Sequence, residues 1–266
     1  VRFKKLSELK RPEPREIVLA TLPQEIRMAK FASAKAFKIN ELVSTVHKDS
    51  YEWYGYTIAN RENPELITDI GLPKNDQNLL DYTAIGPERI AEFQETLPND
   101  SIINGWIHSH GSLNYRHFSH TDERNHLTVL DFVTASLRIP VGKREIPIKD
   151  LVCLVKDEFV EEDLERGSVS LITDAPVSEA KIMETIYGGF CYSIVIGDKG
   201  WHQQAIHHKE RGILSGQSTV SSKEADILLV DTGRSLTQLD INALMAEVEE
   251  KIKPSTDDPP ELIERM

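Results

Sequence analysis

Gly105-Trp106-Ile107-His108-Ser109-His110 and, after eight intervening residues, Ser119-His120-Thr121-Asp122 form the stretch that decides how this chain is read. The approach to it, residues 101–108 (SIINGWIH), has the apolar and β-branched content of a buried strand. Residues 109–119 hold Gly, Asn, Arg and His and read as a loop. Asp122 then opens a helix whose stripe is Leu127, Leu130 and Val133. Histidines at i and i+2 on a strand project to one face, so His108 and His110 reach one ion together. Asp122 adds a hard oxygen once the loop folds back. Two His and one carboxylate, with a fourth position left to water, is the donor set of a catalytic rather than a structural zinc site.

Water activated there needs a base that does not itself occupy the metal. Glu52 is the candidate, a carboxylate within the aromatic run Tyr51-Glu52-Trp53-Tyr54-Gly55-Tyr56-Thr57-Ile58, where an unpaired charge is costly. Ser119 stands three residues before Asp122, and its hydroxyl is the candidate donor to the oxyanion of a tetrahedral intermediate.

Around this centre the chain alternates helical and extended patterns. Phe37 and Ile39 alternate like a short strand, and Asn40 then caps a helix carrying Leu42, Val43 and Val46. Residues 51–58 read as a strand. Residues 60–78 read as polar loop with a short strand near Ile67. Gly86-Pro87 starts a helix over residues 88–97. Beyond Pro140, residues 150–155, 168–173 and 191–196 are β-like, and the Gly197-Asp198-Lys199-Gly200 turn pairs the last of these with residues 201–207 as a hairpin. One more strand is expected over residues 225–230. Thr237 and Asp240 form a capping box for a final helix with stripe Ile241, Leu244, Met245, Val248 and Ile252, which Pro254 ends. The fold class expected is α/β of the α+β type, a mixed curved sheet flanked by helices.

Composition narrows the function. The chain has 266 residues and a formal net charge of −12, which argues against a surface made to coat nucleic-acid phosphates. Only Cys153 and Cys191 are present, too few for a disulfide framework or a thiolate zinc site, so metal chemistry falls to the nine histidines. No run approaches the roughly 18 apolar residues of a membrane span. Residues 1–14 lack an apolar signal region, and the compartment expected is the reducing cytoplasm. Residues 247–266 hold seven acidic against three basic side chains, leaving −8 of the −12 for the rest of the chain and favouring a protein partner.

Glu52-x-x-Gly55, Gly105-Trp106-Ile107-His108-Ser109-His110 and Ser119-x-x-Asp122, in that order, resemble the signature of the JAMM (MPN+) metalloprotease family over roughly residues 30–210. The resemblance implies a cytidine-deaminase-like MPN fold, one catalytic zinc on His108, His110 and Asp122, Glu52 as general acid/base and Ser119 as oxyanion stabiliser. It implies hydrolysis of a peptide or isopeptide bond at the C-terminus of ubiquitin or a ubiquitin-like protein. Two features depart from the family pattern: Gly111 replaces the usual Pro, and eight residues rather than seven lie between His110 and Ser119. A one-residue bulge in the loop absorbs both. The competing readings are a non-catalytic scaffold of the same fold and a RadC-like, DNA-associated protein.

The domain organisation expected is an extension over residues 1–29, the metalloprotease domain with added strands over 30–233, a helix over 234–254 that could dock to a larger complex, and a flexible acidic tail over 255–266. His117 and His120 read as solvated loop residues, and His202, His207 and His208 as exposed. Trp53, Trp106 and Cys153 read as core.

Overall fold

The structure is a computed structural model that describes residues 15–49, 51–78, 85–111, 115–148, 180–198 and 200–254. The strands expected over 150–155 and 168–173, Cys153 and the acidic tail lie outside the described residues.

The first elements are β1 (Glu16–Val18), β2 (Ile26–Ala29) and α1 (Lys30–His47). They lead into β3 (Trp53–Asn60), β4 (Asn63–Gly71), β5 (Asn75–Asn78), α2 (Pro87–Thr96), β6 (Ser101–Ser109) and α3 (His120–Ser136). The second half supplies β7 (Ile139–Ile148), β8 (Ala180–Gly197), β9 (Gly200–Gly212), β10 (Ser218–Glu224), β11 (Ile227–Val230), α4 (Gln238–Lys251) and β12 (Ile252–Pro254). Ten described strands form one mixed sheet in the order β1-β7-β8-β6-β3-β4-β2-β11, with β9 and β10 added along β8; β5 and β12 pair separately. β6 lies inside this sheet, antiparallel to β3 and parallel to β8. The α/β class with a mixed sheet and four flanking helices is therefore as expected.

Alternation along the strands splits the core into two. Trp53, Ile107, Ile194 and Ile206 pack with residues of α1 and α4, whereas Tyr54, Tyr56, Trp106 and Cys191 pack with Ile90 of α2 and with Val129, Leu130 and Val133 of α3. Neighbouring residues thus face opposite helix layers, as the pleat requires. Burying one such aliphatic side chain contributes about 1.5–3 kcal/mol.

Several local expectations are corrected. Phe37 and Ile39 belong to α1, not to a strand, because Ala32, Ala36, Ile39 and Val43 recur at helical spacing and are all buried. Residues 60–78 hold the nine-residue β4 rather than a loop with one short strand. Residues 26–29, read as part of an extension, are an interior strand, with Ile26 and Met28 fully buried between β4 and β11. On α3 the buried stripe is His126, Val129, Leu130 and Val133, while Leu127 is exposed. The hairpin of β8 and β9 and the capping box of α4 form as read, although Met245 faces solvent. Among the described residues no helix is long and apolar enough to cross a membrane.

Candidate metal centre

The motif sits where β6 leaves the sheet. Gly105 lets β8 approach, since a Cβ there would stand 2.2 Å from the Tyr192 carbonyl oxygen. This close packing fixes the strand that delivers His108 and then His110, just past its end. Both histidines and Asp122 are buried. Gly111 follows at φ 57°, a left-handed conformation closed to proline, whose ring holds φ near −65°. The turn needs the residue that departs from the family pattern, and the Ser109 hydroxyl accepts the Gly111 N–H at 3.1 Å to hold it.

Asp122 arrives from α3. Ser119 is the N-cap: its Oγ accepts the Asp122 N–H at 3.2 Å, while the Ser119 N–H donates to Asp122 Oδ2 at 2.6 Å. This reciprocal capping box satisfies two helix-end donors and also fixes the carboxylate's orientation. The position Asp122 takes in the cap is the third helical residue, so it serves the helix and the centre at once.

The three side chains converge. His108 Nε2 and His110 Nε2 are 3.0 Å apart, Asp122 Oδ1 is 3.2 Å from the first and Asp122 Oδ2 3.3 Å from the second. Donors held about 2.0–2.1 Å from a tetrahedral ion lie roughly 3.3 Å from one another, so the triangle fits one metal ion. The tautomer also fits. Tyr115's carbonyl oxygen stands 2.9 Å from His110 Nδ1 and accepts the N–H of the tautomer that presents an Nε2 lone pair to an ion. His108 Nδ1 is buried with no hydrogen-bond partner among the described residues, and the ring stacks on Trp106 at 4.3 Å between centroids and 13° between planes.

Burial sets the electrostatics. It lowers the pKa of His108, against the pull of Asp122. At His110 burial pushes the same way, but the Asp122 carboxylate, the Tyr115 carbonyl and the Glu52 charge together raise the pKa. Burial opposes the Asp122 charge, yet the two histidine rings against it and the Ser119 N–H hold its carboxyl far below the usual range. A metal ion placed here meets two imidazoles and an ionised carboxylate.

Glu52 and Ser119 reach the same place. The antiparallel register pairs Tyr54 with His108 and Trp53 with Ser109, so Glu52, one residue before β3 and half-buried, lies beside His110. It is therefore at the mouth of the strand rather than inside it. Glu52, Ser119, His108, His110 and Asp122 line one cavity of about 150 Å³ together with Tyr54, Trp106 and Tyr115. Ser119's oxygen is used as an acceptor by the helix, which leaves its hydroxyl proton to donate.

The other histidines divide differently from expectation. His117 and His120 are exposed and outside the ligand cluster, as read. His207, read as exposed, is buried, because β9 is flanked by β8 and β10 and α3 packs over it; its ring lies 4.5 Å from that of His126. Sequence reasoning also missed what supports the centre. Trp106 shares the face of His108 two residues on, a signal that period-two alternation carried. Gln203, whose Oε1 accepts the Phe118 N–H at 2.7 Å and so ties the ligand loop to β9, left no such signal. Asn40, which accepts from Trp53 Nε1 at 3.0 Å and donates to Asp198 at 2.8 Å, was read as a cap but braces the strand beside Glu52.

Comparison of the chain with protein-family models gives no match, and comparison with curated proteins gives none.

Proposed function

We propose that this chain is a zinc-dependent hydrolase of the JAMM type, cleaving a peptide or isopeptide bond at the C-terminus of ubiquitin or a ubiquitin-like protein. The observation that carries the reading is the gathering of His108, His110, Asp122, Glu52 and Ser119 around one cavity. The finer fold assignment, a cytidine-deaminase-like MPN domain, belongs to the same proposal, supported by the two histidines at the end of an interior strand and the carboxylate on the next helix.

A zinc ion held by His108, His110 and Asp122 supplies Lewis acidity toward a substrate carbonyl and lowers the pKa of water to about 7. Glu52 accepts the proton that the attacking water gives up and returns it to the departing nitrogen, a shuttle open to a carboxylate that is not itself a ligand. Ser119 donates a hydrogen bond from its hydroxyl to the carbonyl oxygen as negative charge develops there. A cavity of about 150 Å³ admits a short extended segment rather than a whole small-molecule ligand, which normally needs about 300 Å³ or more. That limit favours the tail of a protein substrate.

The test is cleavage of linear ubiquitin-like fusions by the full chain with added zinc. Cleavage is expected to stop on chelation and to fall by about 10²–10⁴-fold in Glu52→Gln, which keeps its metal. Undiminished cleavage by Glu52→Gln would remove that residue from its role.

A further inference from the structure

At the far end of α3 from the metal centre, some 25 Å along a helix of this length, the sheet and helix enclose a second cleft of about 530 Å³. Its floor is β8 and β9. Tyr187 pairs with Arg211 and Gly189 with Lys209, so the two cations lie two residues apart on the strand face that meets α3. Gly189 sets the wall: a Cβ there would stand 2.4 Å from the Leu137 carbonyl oxygen and 2.7 Å from Thr134, so its absence lets the end of α3 sit against the sheet. Arg138 follows that helix, its guanidinium carbon 5.8 Å from the Tyr187 ring centroid.

The charges of this cleft run against those of the chain. Arg138, Lys209 and Arg211 face a single lining carboxylate, Asp131, which pairs with Lys209 at 2.6 Å. Neither arginine makes an ion pair among the described residues, and both are exposed. In a chain of net charge −12, two unmatched guanidiniums beside an aromatic ring form a local site with an excess of about two positive charges.

We infer that the cleft binds a small phosphorylated molecule. A phosphate monoester carries about −1.5 to −2 charges and three strong acceptor oxygens, matching the two guanidinium forks that Asp131 leaves unpaired. The cleft volume exceeds what phosphate alone occupies and falls in the range of about 300–1,000 Å³ typical of small-molecule sites, leaving room for an organic group against Tyr187. This site is independent of the proposed hydrolysis and shares no residue with the metal centre.

The test is calorimetric titration of the full chain with phenyl phosphate, with His108→Ala run alongside to remove any affinity of the metal centre for phosphate. The expected result is saturable binding at one site per chain, retained in His108→Ala, at least tenfold weaker in Arg138→Ala and Arg211→Ala, and partly restored in Arg211→Lys. Circular dichroism of the exposed arginine variants checks that they fold. Absence of saturable binding, or binding by either alanine variant as tight as that of the unsubstituted chain, would overturn the site. Equally tight binding of tetraglutamate would overturn the phosphoryl assignment and make the cleft a seat for acidic protein segments.

Discussion

On the face covered by α1 and α4, the sheet buries Ile26, Met28, Ile67, Ile107, Ile194 and Ile206, a nearly continuous aliphatic surface. On the face covered by α2 and α3 it buries Tyr54, Tyr56 and Trp106 among His108, His126 and His207. The first face removes apolar area from water and leaves few polar atoms to satisfy. The second keeps His108 Nδ1, His126 Nε2 and His207 Nε2 buried without hydrogen-bond partners among the described residues, each at a cost of about 1–3 kcal/mol. One sheet therefore divides its labour: the aliphatic side stabilises the fold, and the polar side gives up stability where it gathers His108, His110 and Asp122.

Substitution should separate the two sides, most strongly at Ile39, which is fully buried on α1. Ile39→Ala is expected to cost about 2–5 kcal/mol in urea unfolding while the folded protein binds metal as before. A tenfold loss of metal affinity in that variant would show that the faces are not separable.

A smaller effect is expected at Glu184, a buried carboxylate that is fully partnered, unlike the histidines. It pairs with Arg144 at 2.8 Å and accepts from Ser215 N at 3.0 Å and Ser215 Oγ at 2.9 Å. Glu184→Ala should cost about 2 kcal/mol at neutral pH, read by thermal unfolding. Burial opposes the charge, but these donors outweigh it and bring the pKa from 4.5 to about 2. The stabilisation is present above pH 4.5 and is lost as pH falls toward 2. The variant should therefore show a shallower acid decline in that window.

The smallest effect sharpens the polar side. Burial, with His208 nearby, lowers the His207 pKa from 6.5 to about 4, so the unfolded chain takes a proton that the folded one refuses. Stability from this residue is complete above pH 6.5 and falls as pH drops from 6.5 to about 4. His207→Leu should change stability by less than about 1 kcal/mol at pH 7.5, because an orphaned nitrogen leaves with the ring, and should flatten that decline. An unchanged pH profile would assign the acid sensitivity elsewhere.

The site was more legible than the sheet around it. His108 and His110 lie at and just past the end of one strand, and Ser119 and Asp122 on one helix turn, so the pattern needs only local periodicity to be read. β7 was not legible, because Pro140 and Pro147 fall within it and prolines argue against a strand. Among the described residues β1 pairs with Gly142, Lys143 and Arg144 and with neither proline, while both prolines stand in register with β8, Pro140 beside an irregularity in that pairing. α1 was obscured by its alanines and serines, which carry a weak hydrophobic period even where they are buried. His207 was misread because β10, the polar run Ser218–Glu224, gives no hydrophobic sign that it shields β9. Contacts made across the sheet, such as Gln203 with Phe118, join residues 85 positions apart and leave no trace in spacing.

The most direct test of the polar face is metal stoichiometry by equilibrium dialysis against zinc and elemental analysis. The expected result is about one zinc per chain in the unsubstituted protein and in Glu52→Gln, with binding lost in His108→Ala and Asp122→Ala. A folded unsubstituted chain that takes up no zinc would contradict the assignment of His108, His110 and Asp122 as a zinc centre.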